Sequence, residues 1–205
     1  MQTITDTVRQ GFGFLTLADT TALERLGVSV LDPHSTLIAA TARLESGIVL
    51  WPGTTIQAEE GGIVSIGAGT VLFPGTRLMA RAGQVIVGRD TELGDEGGFT
   101  IRAEGADVAI WIGERVRLTG NGSLALSNRI GNGAQILGPI QVRNCRLGDG
   151  ASHRDPDPDL RGGVLKGHGV AHGLDVPTGH VIQAFGLFAD APIRRQSFFH
   201  PPPAG

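Results

Sequence analysis

The run Ile130-Gly131-Asn132-Gly133-Ala134-Gln135-Ile136-Leu137-Gly138-Pro139-Ile140-Gln141-Val142 decides how this chain folds. An aliphatic residue falls at 130, 136 and 142, six apart, with glycine and small polar residues between. A helix would need a 3.6-residue period, which is absent. Six residues suit one short strand and one turn, and three such units bring the chain back above its start. The same beat extends outward as Leu44, Leu50, Ile56; Ile66, Leu72, Leu78; Val87, Leu93, Phe99; and Ile112, Leu118, Leu124. Leu31 and Leu37 open the series, and Val164, Val170, Val176 and Ile182 close it.

A second register runs four residues after the first. It holds mostly small residues: Ser35, Thr41, Thr54, Thr70, Thr76, Thr91, Gly97, Gly122, Ala134 and Ala151. Ile48, Val116 and Ile140 are larger exceptions. The aliphatic column predicts a narrow apolar interior, and the small column predicts tight corners. Each coil hydrogen-bonds to the next at about 4.8 Å and buries its apolar side only by stacking. The fold class is therefore all-β, a parallel β-helix of hexapeptide repeats spanning 30–182. A short helical cap covers 1–29 and a C-terminal tail covers 183–205. The cap rests on Asp19-Thr20-Thr21, then Ala22 to Leu26 and Gly27, which reads as a capped two-turn helix. The ending His200-Pro201-Pro202-Pro203 reads as extended.

Composition agrees. Glycine numbers 32, against about 14 at average usage of roughly 7%. That excess serves turns. A net charge of −3 carries no basic footprint for nucleic acid. No stretch has the length of a membrane span, and no signal peptide is evident. One cysteine, Cys145, excludes an internal disulfide and suits a reducing, cytoplasmic setting.

Three insertions interrupt the beat: Glu59-Glu60-Gly61-Gly62, Arg81-Ala82-Gly83-Gln84 and Ala103-Glu104-Gly105-Ala106. Each closes a triplet, so all three belong at one corner of the prism. They read as strands that overrun the corner and return through a turn, making a ridge. A ridge of this kind serves either ligand binding or subunit packing.

The segment Leu26-Gly27-Val28 running into Leu31-Asp32-Pro33, and the phrase Asp175-Val176-Pro177-Thr178-Gly179-His180-Val181-Ile182, resemble the hexapeptide-repeat acyltransferase superfamily. The likeness is greatest to the acetyltransferase half of the bifunctional N-acetylglucosamine-1-phosphate uridyltransferases, and it spans about 24–182. It implies a left-handed coil, against the usual right-handed crossover rule. It further implies a homotrimer and an acetyl-CoA or other acyl-CoA site between subunits. Arg146-Leu147-Gly148 stands where those relatives carry a similar run before their catalytic histidine. Here the chain continues as His153-Arg154-Asp155-Pro156-Asp157-Pro158-Asp159, without their tyrosine.

Five of six histidines follow residue 150. The expected reading is acyl transfer to a small sugar or amine, with His153 and His172 as the catalytic candidates. His153 would be the general base. Arg154, Lys166, His168 and Asn144 are the candidates for substrate or cofactor binding. His153 falls in the aliphatic column if the six-residue count continues, so either the register breaks at Ser152 or the imidazole points inward. No resident metal is expected. A three-histidine zinc site from His168, His172 and His180, like that of the γ-class carbonic anhydrases, is an alternative. A non-catalytic β-helix that binds a ligand or partner is another. Asp155, Asp157 and Asp159, alternating with proline, read as a stiff solvated loop. Trp51 and Trp111 each adjoin an inward position and should face outward.

Overall fold

The computed structural model describes residues 4–200. The chain winds as a parallel β-solenoid with three faces. On the first face, Val49–Leu50, Val71–Leu72, Glu92–Asp95, Arg117–Thr119 and Gln135–Leu137 stack in order. The second face carries Thr55–Glu59, Arg77–Arg81, Thr100–Glu104, Ser123–Ala125 and Ile140–Arg143. The third face is a sheet of seven strands running from Arg43–Leu44 to Asp175–Val176. Near the top the strand Val164–His172 bends from the first face to the second and joins them into one sheet.

Inward residues alternate with outward ones on most strands of the coils, and the inward column is the core. On the third face it reads Leu44, Ile66, Val87, Ile112, Ile130, Leu147, Val176. The corner threonines do more than fit. Thr70 Oγ1 donates to Gly88 O at 2.9 Å and Thr91 Oγ1 to Gly113 O at 3.0 Å, each a carbonyl on the next coil. Buried hydroxyls are thereby satisfied and successive coils are tied together at the bend.

Several register positions differ from the six-residue count. Ile38, not Leu37, pairs with Ile56 in the core, while Leu31 is 53% exposed. Ile101, not Phe99, aligns with Leu78 and Leu124. Phe99 sits in the corner column and fills the space beside Gly122, where a Cβ would come within 2.6 Å of its ring. Leu165 and Ala171, not Val164 and Val170, continue the inward column. In each case extra residues at a corner shift the count by one or two. The insertions lie at the second corner as expected: Ala58, Ala80 and Ala103 stack inward, with Glu59, Arg81 and Glu104 outward.

The N-terminal cap has two helices. Ile4–Gly11 comes first, then Leu17–Ala22 continues as a 3-10 turn to Leu26. Thr16, rather than Asp19, is the N-cap and accepts from Asp19 N. Gly27 closes the turn at φ 76°. Between the helices Phe14 bridges antiparallel to Ala39, and Leu15 N donates to Ile38 O at 2.8 Å. Arg9, only 5% exposed, holds this cap down. Its guanidinium donates to Leu15 O at 2.9 Å, Pro33 O at 3.1 Å and Thr36 O at 2.6 Å.

At the other end, the strand His180–Leu187 runs past residue 182 and pairs with Val164–His172. Ile193–Arg195 then returns antiparallel along His180–Ile182. The expected tail is thus ordered onto the top of the prism through residue 200. The proline run from 201 onward lies outside the described residues.

Candidate functional site

The coil breaks after Leu147. Leu165 follows it by eighteen positions, whereas Ile130 and Ile136 on the coil below are six apart. The extra chain forms a loop whose neck is closed by Ala151 N to Leu160 O and Gly162 N to Ala151 O. The aspartates build the loop: Asp155 Oδ1 accepts from Asp157 N and Asp157 Oδ1 from Asp159 N, both at 3.0 Å. Arg161 clamps it by donating twice to Asp155 O, at 2.9 and 2.6 Å. Asp159 Oδ1 and Oδ2 accept from Ser197 N and Oγ at 3.0 Å, tying the loop to the C-terminal segment. Those two bonds and nearby Arg195 hold its carboxyl below the usual range.

The loop folds down over the outer side of the first face. Arg154 reaches Glu92 at 3.5 Å. Glu92 and Asp95 also flank Arg117, each at 3.5 Å. His153 therefore does not enter the core: the register breaks, and the imidazole lies between loop and face. Its Nδ1 is buried with no hydrogen-bond partner. Burial pushes its pKa below the ordinary value; Glu92 opposes this, while Arg117, Arg154 and Arg161 add to it. The neutral ring is thereby favoured near pH 7.

Two hollows meet at this imidazole. One, about 240 Å³, is lined among others by His153, Gln135, Lys166, Arg161 and Gln196, with no carboxylate in its wall among the described residues. The other, about 290 Å³, lies between Glu92, Arg115, Arg154 and Ser152. An orphaned neutral imidazole beside a cationic, amide-lined cavity can accept a proton from a bound hydroxyl or amine. Lys166 can hold an anionic group there.

Of the candidate residues, His153, Arg154 and Lys166 come together. His172 is exposed on the second face, in register with Arg143. His168 lies at the corner between the first two faces, its ring 5.3 Å from that of Phe185. Asn144 is exposed in the left-handed region at φ 50°, after the strand Ile140–Arg143. The described residues contain no group of three or more His, Cys, Asp or Glu placed to hold a metal ion. His168, His172 and His180 are not gathered, so the zinc alternative has no site in this geometry. Cys145 is buried, and that burial pushes its thiol pKa up, the opposite of a reactive thiolate.

Sequence reasoning missed Gln135, Gln196, Glu92 and Arg117. The first-face strands mark Gln135, Glu92 and Arg117 as outward, but nothing in the sequence says where a long loop will fall. No protein-family model matches this chain, and no curated protein matches it. No helix among the described residues is long and apolar enough to cross a membrane.

Proposed function

We propose that this chain is a CoA-dependent acyltransferase acting on a small sugar or amine, with His153 as general base. The observation that carries the reading is His153 in the wall of a cavity that also holds Lys166, its ring partly buried and its Nδ1 without a hydrogen-bond partner. The acceptor O–H or N–H gives its proton to the imidazole as its oxygen or nitrogen attacks the thioester carbonyl. The C–S bond then breaks, and the imidazolium returns the proton to the CoA sulfur. Lys166 holds an anionic group of donor or acceptor, and Arg154 keeps the loop latched to Glu92. His168, His172 and Asn144 have no step within one chain. The homotrimer and the cytoplasmic setting belong to the same proposal, on the strength of the family resemblance.

Calorimetry with acetyl-CoA and thiol release over a panel of amino and hydroxyl acceptors test it. CoA binding and turnover are expected, with His153→Ala abolishing turnover while circular dichroism stays unchanged. Absence of CoA binding, or full turnover in His153→Ala, overturns it. Sedimentation equilibrium reads the assembly.

A further inference from the structure

The two tryptophans have different surroundings. Trp51 is stacked on Phe73, with ring centroids 6.1 Å apart and planes 16° from parallel. Trp111 faces outward on the third face, 47% exposed, with no ring or cation stacked on it among the described residues. Its strand Ala109–Ile112 is the last to come off the ridge, since the next coil turns the corner directly from Ser123–Ala125 to Asn128–Ile130. The retreat of that corner leaves a hollow of about 450 Å³ beside the indole. A smaller one, about 180 Å³, lies on its other side toward Asp149.

The register places Arg129 one rung above Trp111 and Arg146 one rung above Arg129. Arg129 leans to Asp149, at 3.9 Å. Among the described residues Arg146 makes no ion pair, although Asp175 follows it in register. The larger hollow is lined by both arginines and by Asn144, with no carboxylate in its wall among the described residues. Asn128, also in the wall, is spent on structure: it donates to Ala125 O at 2.8 Å and accepts from Cys145 N at 2.9 Å. What remains is an uncovered indole and, two rungs or about 10 Å higher, an unpaired guanidinium.

We infer that the third face holds a binding site for a mononucleotide, with the base stacked on Trp111 and the phosphate held by Arg146. An indole face is the strongest stacking platform among side chains, and it accepts any base. The guanidinium fork fits a phosphate. Ribose spans the interval between them, with the Asn144 amide beside it. A net charge of −3 and only two arginines make the surface unsuited to a long polyanion. The site lies on a different face from His153 and does not depend on acyl transfer.

The test uses Trp51→Phe, which leaves Trp111 as the sole tryptophan of the chain. Titration with adenosine 5′-monophosphate should quench its fluorescence saturably. Arg146→Ala should weaken binding about tenfold, and Trp111→Ala, read by calorimetry, by about tenfold or more. Adenosine and ribose 5-phosphate should each bind less tightly than the whole nucleotide, and His153→Ala should bind it normally. Absence of quenching at millimolar nucleotide, or unchanged affinity in both variants with native circular dichroism, overturns the inference. So does a single-stranded oligonucleotide that binds more tightly than the mononucleotide with a steep salt dependence.

Discussion

Replacing Arg9 by alanine tests whether the solenoid depends on its cap. The side chain donates to the carbonyls of Leu15, Pro33 and Thr36 at 2.9, 3.1 and 2.6 Å, all from a residue 5% exposed. A hydrogen bond to a charged group contributes about 1.5–3 kcal/mol, and removing one partner strands the other. Water entering the vacated space restores part of this. A net loss of about 3–5 kcal/mol is expected, confined at first to the end of the stack. Arg9→Lys keeps the charge but not the fork, so it should lose roughly half as much. Hydrogen exchange reads the effect where it arises. The Leu37 and Ala39 amides, bonded to Thr54 O and Ile56 O, should exchange roughly a hundredfold to several-thousandfold faster, the factor that a local loss of this size implies. Amides between Gln135–Leu137 and Val164–His172 should keep their protection. If both variants cost less than about 1 kcal/mol and first-coil protection is unchanged, the guanidinium is not what holds the cap.

Other outcomes follow from the same geometry. Because burial lowers the His153 pKa, the folded protein binds fewer protons there than the unfolded chain just below pH 6.5. Stability should fall as pH drops from 6.5, then level once the folded imidazole also titrates. The basic form's activity should rise with a midpoint below 6.5, and NMR titration against a His153→Asn control reads the site directly. Gly167→Ala places a Cβ onto the Ala184 carbonyl oxygen at φ +122° and should cost about 3 kcal/mol or more. Gly61→Ala, at φ +78° with open space around it, should cost about 1 kcal/mol, and urea denaturation compares the two. Asp159→Ala should free the segment bound through Ser197, so trypsin cleaves faster at Arg194 and Arg195.

The architecture was legible because one physical requirement, an apolar residue facing inward once per face, repeats along the whole chain. Its phase was less legible. A six-residue count cannot see where extra residues enter a corner, which is why Leu37, Phe99, Val164 and Val170 yielded their places to Ile38, Ile101, Leu165 and Ala171. The candidate site was half legible for a related reason. Residues six apart stand on adjacent faces, so nearness in sequence, as for His168 and His172, does not make a cluster. His153 and Lys166 meet because the intervening loop, leaving the third face, folds over the first face on which Lys166 stands. The anchoring partners Glu92 and Arg117 lie coils away, and no local pattern joins them to residue 153. Arg9 gave no sign at all, since an arginine in a short helix reads as a solvated side chain.

The strand Ile193–Arg195 has a consequence for how the molecule is made. A parallel coil offers the next coil a template on all three faces, so a growing chain can add turns one at a time in the order of synthesis. Until residues 193–195 emerge, the first face ends in an edge ready for another strand of the same direction, from this chain or a neighbour. The reversed strand occupies that edge at His180–Ile182 and presents the opposite polarity outward. At the base, the bridge between Phe14 and Ala39 does the same on the second face. Polarity, more than bulk, is the stop signal: the solenoid ends where the chain is made to run the other way, and filament growth through either covered edge is interrupted.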